Sequence, residues 1–156
     1  MTRPRRCWPQ IEIRARFLPL VLFFVAVALA RDATGVLRIG LLCALLHECG
    51  HLAAWGVLVR RPPRVCVSPT GLCLSMRGVI LPPGQELVLA AAGPCTNLVL
   101  SAAAIVWMEY VAGYSFFGYR FAAANLLLGA FNLLPLPGLD GGYLLQDTVG
   151  LHFLPK

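Results

Sequence analysis

Long apolar runs separated by short polar breaks set the plan of this chain. Phe17–Ala30 reads FLPLVLFFVAVALA, and Ile39–Val59 follows, closed by Arg60 and Arg61. Leu87–Met108 is the third run and stops at Glu109; the fourth extends from Phe116 to Pro137, with Arg120 near its start. A helix that crosses a bilayer needs about 20 predominantly apolar residues. Three runs meet that length and the first falls short of it. The pattern predicts an all-α membrane protein with about four transmembrane helices, the first two forming a tightly turned hairpin. A cleaved signal peptide is the rival reading of the first run, because a basic segment precedes it and Ala28-Leu29-Ala30 has the form of a signal-peptidase site. Retention is favoured by Ile11-Glu12-Ile13-Arg14-Ala15, which alternates as a strand does inside that basic segment.

The one sizeable loop, Arg60–Glu86, carries two short strand-like runs, Arg64-Val65-Cys66-Val67 and Leu72-Cys73-Leu74-Ser75-Met76. Ser68-Pro69-Thr70-Gly71 separates them as a turn. These predict a small cytoplasmic β-hairpin between helices two and three, with Ile11–Ala15 as a third strand; a plain connector is the alternative. No internal repeat or low-complexity tract interrupts the chain. Residues 1–156 therefore read as one membrane-embedded domain, with a strand and first hydrophobic helix over 1–38 and a core over 39–145.

Composition supports the bilayer. Hydrophobic residues make up 58% and charged residues 13%, against about 45–50% and about 25% in soluble domains. Mean hydropathy is +0.74. So little polar surface excludes a soluble cytosolic enzyme, a disordered chain and a coiled coil. The net charge of +6 raises nucleic acid as a partner, but the basic residues sit at the ends of apolar runs and form no basic face. Their distribution sets topology instead. Arg3, Arg5, Arg6, Arg14 and Arg16 precede the first run, Arg60, Arg61, Arg64 and Arg77 fill the loop, and Lys156 ends the chain; only Arg31, Arg38 and Arg120 lie on the other side. A multi-pass cell-membrane protein with both termini cytoplasmic is expected. The six cysteines show neither a CxxC pair nor zinc-finger spacing and read as reduced, small apolar residues.

Chemistry is concentrated in His47-Glu48-Cys49-Gly50-His51, an HExxH motif within the second run. Spacing of four on a helix puts both imidazoles on one face, where they can share a zinc ion. Glu48 lies beside the metal without ligating it and can move a proton between the attacking water and the leaving amine. Two histidines and a glutamate inside a span are costly, at least about 2.5–3.5 kcal/mol for a central charge, and mark function by default. A third protein ligand is needed. Asp140, in Asn132-Leu133-Leu134-Pro135-Leu136-Pro137-Gly138-Leu139-Asp140-Gly141-Gly142, sits where prolines and glycines break the fourth helix. Irregular backbone at membrane depth belongs in protein or at a wet cavity. His51 precedes Arg60 by nine residues, which places the metal roughly 13 Å from the cytoplasmic end of its helix, on the side that also holds Asp140. Cys43 and His152 are the other candidates for third ligand. Gly93-Pro94-Cys95-Thr96-Asn97 breaks the third run. Asn97 and Asn132 read either as glue between helices or as groups that bind an unwound substrate backbone or the developing oxyanion.

HECGH, AAGPCTN and NLLPLPGLDGG, in this order and each in its own apolar run, resemble the site-2 protease family of intramembrane zinc metalloproteases, in particular its compact bacterial branch typified by stage IV sporulation protein FB. The resemblance covers about Ile39 to Leu145. It implies zinc held by His47, His51 and Asp140, catalysis by Glu48, and the family's asparagines at Asn97 and Asn132. It further implies a membrane-spanning or membrane-tethered protein substrate cut near its cytoplasmic end, releasing or maturing a regulatory factor, with a regulatory membrane protein as a second partner and no nucleic acid. Cys49 replaces the apolar residue usual there. No PDZ-like domain separates the motifs, so substrate selection is expected to rest on the helices, the hairpin or a partner. The alternative is a catalytically silent scaffold of the same family that binds membrane segments. A zinc transporter would need polar residues along more than one helix, and the outer halves of these helices show none.

Overall fold

The computed structural model describes residues 12–13, 18–60, 64–68, 71–75 and 81–149. In chain order these form β1 (Glu12–Ile13), α1 (Leu18–Arg31), α2 (Val36–Leu58), β2 (Arg64–Ser68), β3 (Gly71–Ser75), α3 (Pro83–Trp107), α4 (Phe116–Asn132) and α5 (Asp140–Val149). A π-helical turn, Met108–Ala112, prolongs α3. Local chemistry explains the boundaries. Gly35 takes a left-handed φ of 72° just before α2, a conformation glycine adopts freely. Pro83 opens α3 and Glu86 lies in its first turn, both favourable at a helix N-terminus. The Ser115 hydroxyl caps α4 by accepting from the Gly118 N–H at 3.0 Å.

The expected fold class, an all-α protein with about four transmembrane helices, is corrected. Among the described residues two helices are long and apolar enough to cross a membrane: Val36–Leu58, and Gly84–Ala112 formed by α3 and its π turn. At 14 residues α1 is shorter than a span needs. The fourth apolar run loses its length because α4 stops at Asn132 after 17 residues, roughly 25 Å of helix, where Pro135 and Pro137 end helical hydrogen bonding. The described strands lie in one sheet of order β1-β2-β3, β1 parallel to β2 and β2 antiparallel to β3, with Arg64 opposite Ser75 and Ser68 opposite Gly71.

A second expectation, a break of the third run at Gly93-Pro94, is also replaced. Helix α3 runs straight through Pro94. Proline inside an apolar helix of this kind is tolerated when its surroundings re-satisfy the freed backbone group.

Helix α3 is the centre of the bundle, packing on α2, α4 and α5, while α1 meets α2 only sparsely. Small residues make these approaches possible. A Cβ on Gly50 would lie 2.8 Å from the Ala92 carbonyl oxygen, and one on Gly129 would lie 3.2 Å from that of Pro94. The buried positions of α2 are Ile39, Cys43, His47, His51 and Trp55, every fourth residue and hence one face. Trp55 packs with Leu81 and Leu89 in a small apolar core. Phe23, Phe24, Leu45, Val99, Phe117 and Leu127 stand exposed. An apolar exterior of this extent suits lipid rather than water.

Candidate metal centre

His47 and His51 come from the buried face of α2, and Asp140 is the first residue of α5. The loop after α4 delivers that carboxylate. Gly138 adopts a left-handed φ of 90°, and the next turn folds against the backbone it has just left. A Cβ on Gly141 would lie 2.2 Å from the Leu133 carbonyl oxygen, and one on Gly142 2.3 Å from that of Leu136. Only glycine fits at both positions, so Gly141-Gly142 sets where Asp140 points.

Three donor atoms converge. His47 Nε2 lies 3.0 Å and His51 Nε2 3.4 Å from Asp140 Oδ2, and the two Nε2 atoms are 3.2 Å apart. The His51 Nδ1–H donates to the Leu89 carbonyl at 2.8 Å, which leaves the Nε2 lone pair free for a metal. Both histidines are buried. Zinc bonds of about 2.0–2.1 Å place neighbouring ligand atoms roughly 3.3 Å apart in a tetrahedron, and the observed triangle has those edges. Among the described residues these three form the group able to hold a metal ion. Two nitrogens and one carboxylate oxygen are a zinc donor set, with a fourth position left for water. Glu48, half-buried on α2, interacts electrostatically with His51, His47 and Asp140.

No protein-family model matches the chain. A zinc metalloprotease of Methanocaldococcus jannaschii is 26% identical over 153 residues, covering 92% of this chain and 43% of the relative. The chain thus spans less than half of that protein's length. The solved structure of the site-2 protease from the same organism superposes with a TM-score of 0.64 at 23% identity, over 92% of this chain and 68% of that one. The chain is thus similar to a zinc metalloprotease and shares the fold of a site-2 protease.

The other residues singled out from the sequence fall in different places. Asn97 on α3 is fully buried, and neither amide atom has a hydrogen-bond partner. Asn132 ends α4, and its Nδ2 donates to the Leu128 carbonyl one turn back at 3.0 Å. Cys43 is fully buried one turn before His47 and is not among the three converging groups; His152 lies outside the described residues. The sequence reading passed over Asn125, which is fully buried with its Oδ1 unpartnered. Gly93, expected there only as part of a helix break, has its absent side chain facing both imidazoles. Asn125 carried a visible signal, being an amide inside an apolar run.

Proposed function

We propose that this chain is an intramembrane zinc metalloprotease that hydrolyses peptide bonds in or near the membrane-spanning segments of protein substrates. The convergence of His47 Nε2, His51 Nε2 and Asp140 Oδ2 on one point, beside Glu48 and between apolar helices, carries this reading. The zinc metalloprotease relative and the site-2 protease fold support it. His47, His51 and Asp140 would hold zinc, which supplies Lewis acidity toward a water and a peptide carbonyl when bound. Glu48 takes the proton from the attacking water and returns it to the departing amine. A helical substrate hides its carbonyls in i→i−4 bonds and must unwind to be cut. Asn97, with both amide atoms unspent, has the capacity to bond the unwound backbone; Asn132 has already committed its N–H to Leu128.

The arginine distribution favours a multi-pass arrangement with cytoplasmic termini and cleavage toward that side. Release or maturation of a tethered regulatory factor would follow from cutting there, with a second membrane protein as regulator. Glu48→Gln in the full chain, co-expressed with a membrane-tethered candidate substrate, should abolish cleavage on a blot while zinc stays bound. Full cleavage by that variant would overturn the mechanism. Wild-type binding of the substrate without cleavage, unchanged by Glu48→Gln, would instead establish the scaffold alternative.

A further inference from the structure

We propose that Gly93 forms the α3 side of the metal cradle, and that its lack of a side chain is what leaves room for the ion. A Cβ at this position would lie 2.3 Å from His51 Nε2, 2.6 Å from His47 Nε2 and 2.7 Å from His47 Cε1. The two nearest atoms are the proposed ligating nitrogens, so a methyl group there would compete with the ion for one volume. Neither side can give way cheaply. The His51 ring is held from behind by its Nδ1–H bond to the Leu89 carbonyl, one turn before Gly93 on α3 itself. His47 Nε2 already stands 3.0 Å from Asp140 Oδ2. Helix α3 cannot retreat without opening the contact in which Gly50 of α2 sits against Ala92 and Thr96, the neighbours of this same turn. Alanine is the better helix former, so helical propensity gives no reason for a glycine inside α3. Space beside the imidazoles does.

This inference rests on the metal-centre reading above, and the test separates the two. The full chain is purified in detergent as wild type, Gly93→Ala and Gly56→Ala, the last because a Cβ on Gly56 meets nothing within 4 Å. Zinc per chain is measured by elemental analysis, affinity by competition with a chromophoric chelator, and folding by circular dichroism. Wild type and Gly56→Ala should each bind one zinc. Gly93→Ala should keep its helical spectrum and lose affinity by more than the roughly 100-fold upper range seen for groups that merely support a ligand. Wild-type-like affinity in Gly93→Ala overturns the inference and leaves the metal centre standing. Failure of wild type to bind zinc overturns the metal centre itself. Should Gly93→Ala not fold, the triple variant His47→Ala/His51→Ala/Gly93→Ala decides. Recovered folding shows that the methyl group crowds the imidazoles; persistent misfolding assigns Gly93 to helix packing and overturns the proposal.

Discussion

Helix α2 carries polar groups at two levels, and they are built in opposite ways. Before and within its first turn donors are paired with acceptors. The Arg38 N–H bonds Asp32 Oδ2 at 3.0 Å, the Thr34 hydroxyl bonds Asp32 Oδ1 at 3.1 Å, and the Arg38 guanidinium bonds the Leu29 carbonyl at 3.1 Å. The Arg120 guanidinium, from α4, donates to the Thr34 carbonyl and lies over the Phe116 ring. Three turns further on, in the buried face, the Nε2 of His51 and of His47 turn toward each other and toward one carboxylate oxygen. Matched donors and acceptors need nothing more and serve to hold α1, α2 and α4 together. Converging lone pairs repel until a cation sits among them, and in apolar surroundings that repulsion is poorly screened. The first arrangement is a structural tie and the second is a cation site.

Removing a ligand tests this contrast most severely. His47→Ala should lose zinc and hydrolysis together, by more than the roughly 10–100-fold that follows loss of a supporting partner. Chelation should lower the melting temperature of wild type, since a ligand at about a thousand times its Kd stabilises by about 4.1 kcal/mol, and should leave His47→Ala unmoved. If chelation does not shift the wild type, a proton rather than a metal reconciles the three acceptors, and the contrast collapses.

Much of the centre was legible because its chemistry is local. HExxH puts two imidazoles on one helical face by spacing alone, and a carboxylate between prolines and glycines at matching depth completes the set. Gly93 was not legible: a glycine in an apolar helix has no side chain to betray its neighbour, and the need for one appears only when α2 lies against α3. The span count failed for a related reason. An apolar run sets how much chain can lie in lipid, but the helix is ended by backbone chemistry, so α4 stops at Asn132 although the apolar run continues to Pro137. Nor did periodicity announce α5. Its opening Asp-Gly-Gly reads as a turn, and only the fit of Gly141 and Gly142 against the Leu133–Leu136 backbone makes it the start of a helix.

The tie at the other level should yield a smaller and different effect. Arg120→Ala removes one hydrogen bond, with a net contribution of about 0.5–1.5 kcal/mol, and an exposed cation–π contact of about 0.5–1 kcal/mol. Thermal unfolding in detergent should fall accordingly while zinc content and cleavage stay at wild-type values. A drop in zinc content would mean that the two levels are coupled through α2 and that the division between tie and site is too sharp.

Asp32→Asn should have the smallest effect, and its pH dependence tells whether the tie works by charge or by shape. The hydrogen bond from the Arg38 N–H holds the Asp32 carboxyl below its ordinary range, helped by Thr34. A depressed folded-state pKa stabilises the fold above the unfolded value, about 3.9 for aspartate, and that contribution disappears as pH falls through the lower folded value. Wild type should therefore exceed Asp32→Asn in stability at pH 7, and the difference should shrink as pH falls through the lowered folded-state value. Protonation of the histidines would blur the acid limb, so both proteins are compared in the His47→Ala background, where the metal centre is already gone. The asparagine keeps one oxygen acceptor for the Arg38 N–H but puts an amide NH2 in place of the oxygen that faces the Thr34 hydroxyl, so it gives up the charge and one acceptor. Convergence at low pH assigns the effect to the charged carboxylate capping α2, whereas a gap that persists once the carboxylate is protonated assigns it to geometry and makes the outer tie a packing device rather than an electrostatic one.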